Sequence, residues 1–309
     1  MLRPAWTAGT TRAQLLLERR VGREQAHVIA SSVSLADGLG ALAGSAYGER
    51  VRPGDGLLAA ERGVAETLLW HLRILAGWLP AAGAALVRTL AARFELENID
   101  ARLAALTADG REPPPFVLGG LATRWHRIEQ ARTVEEIGAA LADSAWGTQA
   151  GHSAAELAIG LRVSWARRVW EAAPEAADWV LGASALLVAR ELLVAGSRAQ
   201  VTQLRRLPGI RAEALDASTI GELRAALPAR AAWALADVSD PSELWRAELD
   251  WWQRVEQESG VLRRSREQRA VVVAAVALLA VDAQRTARAL SAAAHPGGSE
   301  LAELVGGVV

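Results

Sequence analysis

The sequence predicts an all-α protein. Three observations lead there: helix start signals recur along the chain, apolar residues repeat at helical spacing, and alternating apolar and polar runs bounded by turn residues are missing. One stretch organises the rest. Thr133 to Gly147 reads TVEEIGAALADSAWG, with Thr133 and Glu136 at capping-box positions and Val134, Ile137 and Leu141 at i, i+3 and i+7 of a short amphipathic helix. Ninety-nine residues earlier the chain reads SLADGLGALAGSAYG (Ser34 to Gly48), and eighty-six residues later TIGELRAALPARAAW (Thr219 to Trp233). Ser34/Asp37 and Thr219/Glu222 hold the same cap register. Ala41–Gly48 and Ala140–Gly147 agree at six of eight positions, although so alanine-rich a chain produces such matches readily. The shared caps and the aromatic-Gly endings, Tyr47-Gly48 and Trp146-Gly147, carry more weight. A left-handed Gly would close the last helical turn there, and the third copy lacks it. The chain is read as one unit of roughly 90 to 100 residues written three times, with units at 1–112, 113–206 and 207–309.

Each element follows from local signals. The chain opens on an exposed start, and Leu15 to Leu17 dock one turn of RAQLLLERR against a neighbour. Gly22 to Ser32 precedes the first cap, and Glu49 to Gly56 is a polar loop. Leu57 to Trp78 is a helix with Val64, Leu68, Leu72 and Leu75 on one stripe, broken by Pro80. A second helix is expected from Ala84 to about Leu106. Thr107 to Pro115 is the clearest linker, because three consecutive prolines force an extended path. The second unit starts at Phe116 and turns between Gly147 and His152. Ser153 and Glu156 form another capping box, opening a helix through Trp165 and Trp170 to Ala173. Pro174 ends it, and Glu175 to about Gly196 is the next. The third unit begins after Leu207-Pro208-Gly209. Asp240-Pro241-Ser242-Glu243 is a strong helix start, with Pro at the first helical position. After Gly260 the longest pattern, Leu262 to about Ala293, reads as one helix stopped by Pro296-Gly297-Gly298.

Composition excludes several function classes. A net charge of -1 gives no global pull toward nucleic acid or anionic membrane. All 34 basic residues are arginine, which fits genome composition better than a demand for guanidinium. The absence of cysteine removes disulfides, thiolate metal sites and thiol nucleophiles. No secretory signal is readable at the N-terminus. Ala270 to Val281 is wholly apolar, but at 12 residues it falls short of the ~20 a spanning helix needs and reads as a buried core helix.

Chemistry is sparse. His27, His71, His126, His152 and His295 are scattered, with no pair at i, i+4 to share a metal, and His71 falls on the apolar stripe as a core histidine. No phosphate-binding GxxxxGK[ST] loop exists, nor an aspartate-rich metal motif: Asp237, Asp240 and Asp250 are wrongly spaced. No catalytic, cofactor-binding or metal-ligating residue is assigned. Twelve tryptophans against one tyrosine read mainly as large rings filling gaps between Ala-rich helices. Trp251-Trp252 is the exception, since adjacent helical residues point about 100° apart and one ring is expected at the surface or a contact.

With these features assembled, the chain resembles the C-subunit family of prokaryotic A/V-type rotary ATPases, whose eukaryotic counterpart is the d-subunit of the proton pump. The resemblance rests on the caps, the small amphipathic helices with aromatic-Gly endings, and Phe94-Glu95-Leu96-Glu97-Asn98, which is similar to the family's aromatic-acid-x-x-Asn helix signature. Leu118-Gly119-Gly120 and Leu207-Pro208-Gly209 resemble the breaks before the later repeats. The helix signature degrades to ALLVAREL around Val188 and to VDAQRTARAL in the third unit, and the family's aromatic N-terminal strip is reduced. The resemblance implies three similar helical domains in a pseudo-threefold funnel. It implies a non-catalytic central-stalk component, a socket that couples the rotary shaft to the membrane proteolipid ring for ion transport linked to ATP hydrolysis or synthesis. Its partners would be the shaft and the ring in a hetero-oligomeric complex, peripheral on the cytoplasmic face, with no cofactor, no nucleic acid, no direct membrane span and an apolar patch at one rim. Two other readings stay open: a generic helical-repeat adaptor, favoured by exposed Trp along a groove, and an enzyme gathering His126 or His152 with carboxylates in a deep pocket.

Overall fold

A computed structural model describes residues 4–107, 112–147, 151, 153–197 and 200–295. Among them every regular element is helical. Two compact units result: residues 1–87 with 255–309, and residues 88–254. The first copy of the repeated stretch lies in the first unit, and the second and third copies lie in the second.

The chain runs through α1 (Pro4–Leu17), α2 (Gly22–Ala30), α3 (Leu35–Leu42), α4 (Leu57–Gly77), α5 (Ala81–Leu90), α6 (Arg93–Thr107), α7 (Trp125–Ile128) and α8 (Val134–Ala142). It continues with α9 (Ala154–Ala172), α10 (Ala177–Ala189), α11 (Val201–Leu204), α12 (Ala212–Leu215), α13 (Ile220–Ala226), α14 (Ala229–Ala232), α15 (Leu244–Leu262) and α16 (Gln268–Ala294). The first unit is built around α16, which packs against α1, α2, α3 and α4. Val271 to Val276 of α16 are buried without interruption, and the stripe Val64, Leu68, Leu72 and Leu75 of α4 is buried with them. In the second unit, α10 packs on α9 and α14, and Ala185, Val188 and Ala189 join Ile210, Ala214, Leu215, Ile220 and Leu223 in one apolar cluster.

The caps form as the sequence indicates. Ser34, Thr133 and Thr219 all adopt extended backbone, with φ of -148°, -136° and -135°, and each hydroxyl accepts from the backbone N–H three residues on. Ser153 and Glu156 complete a reciprocal capping box at α9, and Asp240 and Glu243 do so before α15.

Several boundaries differ from the sequence reading. α1 starts at Pro4 and buries Trp6, so the N-terminal segment is helical rather than an exposed lead-in, and Leu15 points outward while Leu16 and Leu17 are buried. The helix expected from Ala84 onward is two helices, broken at Ala91-Ala92, where the N–H groups of Ala92 and Phe94 fall back to three-residue hydrogen bonds. The long helix expected from Leu262 is also interrupted. α15 runs through Gly260 to Leu262, and α16 begins only at Gln268 after a turn in which the Ser265 hydroxyl accepts from the Glu267 N–H. α16 has 27 residues, about 40 Å at helical rise, and is long and apolar enough to cross a membrane. The apolar run of 12 was therefore not the limit on length; burial of 72% of its most apolar window identifies it as the core helix of its unit. The aromatic-Gly pairs do not close helices either, since α3 and α8 end at Leu42 and Ala142. Gly147 is left-handed at φ 72°, whereas Gly48 is required because a Cβ there would lie 2.2 Å from the Ala43 carbonyl oxygen. The predicted breaks within 108–111, 148–150 and 296–298 lie outside the described residues.

Since each of the three caps satisfies a helix-start N–H, Ser34→Ala, Thr133→Ala and Thr219→Ala are each expected to lower stability by about 1 kcal/mol, measured by urea unfolding.

Candidate functional site

The repeated stretch folds into more than a capped helix. After Leu42, Ser45 turns its hydroxyl back to donate to the Leu42 carbonyl at 2.8 Å and accepts from the Tyr47 N–H at 3.1 Å. In the second copy Ser144 does the same, donating to Leu141 at 2.7 Å and accepting from the Trp146 N–H at 3.1 Å. This serine turn aims the aromatic ring inward, and Tyr47 and Trp146 are both buried.

What each ring meets is a buried carboxylate. Trp146 donates its indole N–H to Glu95 Oε2 at 3.2 Å. The same carboxylate accepts the backbone N–H groups of Thr123, Arg124 and Trp125 at 2.6 to 3.0 Å, which are the free donors at the start of α7. In the first unit Tyr47 donates its hydroxyl to Asp282 Oδ2 at 2.9 Å, and Asp282 accepts the Val21 and Gly22 N–H groups at 3.1 and 2.8 Å, where α2 begins. Gly22 sits at φ 76°, a conformation that presents both N–H groups to one acid. Burial, then the charge and hydrogen bond of Asp282, push the Tyr47 hydroxyl well above its usual pKa, so it remains a donor. Each acid thus ties its own helix to the two ends of a repeat: its opening helix and its closing aromatic. Asn98, one turn beyond Glu95, exchanges two hydrogen bonds with the Phe116 backbone at 3.0 and 2.7 Å and fixes the end of the proline linker.

The third copy departs from this pattern. Pro228 follows α13, and Trp233 lies in a 3-10 turn with its N–H on the Arg230 carbonyl. Around it the second unit is apolar and aromatic: the Trp233 and Trp251 rings close on Gly182, where a Cβ would meet them at 2.6 and 3.0 Å. Trp251 and Trp252 are both half-buried and meet edge to face at 4.9 Å, with the Trp251 N–H on the Trp179 carbonyl at 2.8 Å. Neither ring of the pair is left fully outside.

The candidate polar residues are not brought together. His27, His126 and His295 are exposed, and His152 lies outside the described residues. Among the described residues no three His, Asp or Glu side chains are grouped to hold a metal ion. A cavity of about 790 Å³ in the second unit is an open groove lined by Arg102, Leu106, Glu129, Gln130 and Arg132, without a histidine. Its central cation is already engaged, as Arg102 donates to the Ala131 carbonyl at 2.6 Å and to Glu112 at 2.8 Å. Exposed tryptophans are Trp78 in one unit and Trp245 in the other.

His71 is buried on α4, as its place on the apolar stripe indicates. Its ring lies 5.3 Å from that of Trp70, and its Nε2 has no hydrogen-bond partner. Burial, with Arg19, Arg12 and Arg50 adding positive potential, lowers its pKa to about 4.

The sequence signals for Glu95 and Asn98 were readable as a helix signature, but the partners of Asp282 lie 235 to 261 residues away and leave no spacing to read. A single acid ending an apolar run was the available clue. No protein-family model matches the chain, and no curated protein matches it.

Glu95→Leu and Asp282→Leu strand buried N–H donors, and each is expected to lower the free energy of urea unfolding by about 3 kcal/mol or more. Tyr47→Phe removes one donor and loses about 1 kcal/mol in the same measurement. His71 binds a proton more readily unfolded than folded, so stability falls as pH drops from about 6.5 toward 4. The loss approaches about 3 kcal/mol, and His71→Leu removes that part of the pH dependence in urea titrations at pH 7 and 5.

Proposed function

We propose that the protein is a non-catalytic central-stalk component of a V/A-type rotary ATPase, of the C-subunit or d-subunit kind. In this role it seats the rotary shaft on the membrane proteolipid ring, peripheral on the cytoplasmic face, and passes torque between ATP hydrolysis or synthesis and ion transport. The observation that carries the reading is the paired acid clamp. Phe94-Glu95-x-x-Asn98, the segment that resembles the family's helix signature, holds the second copy of the repeat by its opening helix and its aromatic. VDAQR, in the segment read as the degraded third signature, holds the first copy in the same way through Asp282.

A part that transmits torque needs stiffness. Hydrogen bonds from several backbone donors to one buried acid resist sliding of one helix on another in a way that apolar contacts alone do not, because the acid has no alternative partners. The all-helical architecture and the repeated caps support the same reading.

Affinity purification of tagged protein from gently solubilised native membranes, followed by mass spectrometry, tests it. Nucleotide-binding ATPase subunits together with a proteolipid ring are expected. Recovery of soluble partners alone would overturn it and put the helical adaptor in its place.

A further inference from the structure

Independently of that reading, we propose that the first unit carries a surface that binds anionic phospholipid bilayers, formed where the start of α1, the end of α4 and the turn between α15 and α16 meet. Two contacts bring these stretches together. Gln268, the first residue of α16, donates its side-chain amide to the Thr7 hydroxyl of α1 at 3.2 Å. Two residues on from Thr7, a Cβ at Gly9 would lie 3.2 Å from the Trp78 carbonyl oxygen and 2.2 Å from the Leu79 side chain, so the chain leaving α4 packs directly on the first turns of α1. Leu79 and the buried Trp6 close on Gly83 there, whereas Trp78 is left 55% exposed. Water is a poor place for so large a ring, and its neighbours do not cover it.

The turn that leads to Gln268 is basic. Arg263, Arg264 and Arg266 fall within four consecutive residues, and all three are exposed. Their backbone is held in place: the N–H groups of Arg263 and Arg264 bond to the Ser259 and Val261 carbonyls at 2.9 and 3.1 Å, and the Ser265 hydroxyl accepts the Glu267 N–H at 3.1 Å. Val261, at the edge of this turn, is 76% exposed. The charge is a local departure from a chain whose net charge is -1. Residues 4–17, 67–87 and 263–281, the stretches that meet here, contain six arginines and a single acid, Glu267.

Charge and apolarity together select the occupant. A soluble polyanion such as a nucleic acid engages the guanidiniums but leaves Val261 in water. The interface of an anionic bilayer takes both: its surface potential attracts arginine, its headgroup level favours tryptophan, and the acyl boundary below buries aliphatic groups. The three arginines lie among the lipid phosphates, with Trp78 and Val261 entering the interface beside them. No helix inserts, and binding is peripheral and weakened by salt.

The test is co-sedimentation of the purified full chain with vesicles of phosphatidylserine in phosphatidylcholine, and with vesicles of phosphatidylcholine alone, at low and raised sodium chloride. Binding to the acidic vesicles that falls with salt is expected. Arg263→Gln, Arg264→Gln and Arg266→Gln each weaken it about fivefold and the triple variant about a hundredfold, while Trp78→Gln weakens it about tenfold. Arg211→Gln and Trp245→Gln, exposed residues of the other unit, leave it unchanged. Circular dichroism of each variant confirms that its helices are intact. Equal sedimentation with neutral and acidic vesicles overturns the proposal, as does acidic-vesicle binding that survives in the triple variant. Competition by polyuridylic acid that is indifferent to Trp78→Gln, with vesicle binding equally indifferent, marks a general polyanion site and overturns it too. The vesicles contain no ATPase subunit, so failure here is separate from failure of the central-stalk reading.

Discussion

A buried carboxylate that accepts several backbone N–H groups is the constraint on which both units depend. A helix start leaves free donors, and a burial site for such a start exists only where an acceptor is brought to it. Glu95 and Asp282 supply that acceptor from the buried faces of α6 and α16, and each adds the closing aromatic of the repeat to its set of donors. Packing alone would let α7 or α2 shift along its neighbour at modest cost. The acid permits one position, because any displacement strands donors and acceptor together.

The two clamps reach the same end with different atoms. Trp146 donates an indole N–H to a glutamate, and Tyr47 donates a hydroxyl to an aspartate. Each pairing of ring and acid keeps the donor-acceptor contact within hydrogen-bond range. In the third copy an apolar cluster around Ile220, Leu223 and Val188 holds the capped helix, and tryptophans close over a glycine nearby. One repeat therefore tolerates two solutions to the same packing problem, a polar lock and an apolar seal.

Much of the fold was legible because caps are local. Ser34, Thr133, Ser153, Thr219 and Asp240 bond to N–H groups two or three residues away, so sequence spacing is enough to find them. The break at Ala91-Ala92 was not legible, since alanine favours helix and nothing local stops it, and at Arg263 to Glu267 the one local signal among helix-favouring arginines was Ser265, whose hydroxyl takes the Glu267 N–H. The clamps were half visible. Glu95 stood in a readable signature, yet its donors and those of Asp282 are set by tertiary structure. The serines at 45 and 144 lay inside the repeat in plain view, but their role emerges only when the chain is seen turning back on each hydroxyl.

The place of α16 bears on how the chain is made. The core helix of the first unit is encoded after the whole of residues 88–254, so α1 to α4 leave the ribosome with their apolar faces uncovered and wait while that second unit is synthesised. Residues 88–254 meet no such delay, as all their partners within the unit are contiguous in sequence. Vectorial synthesis therefore favours completion of the middle of the chain first, with the N-terminal helices held open to chaperones or to mispairing until Asp282 arrives to receive Val21, Gly22 and Tyr47.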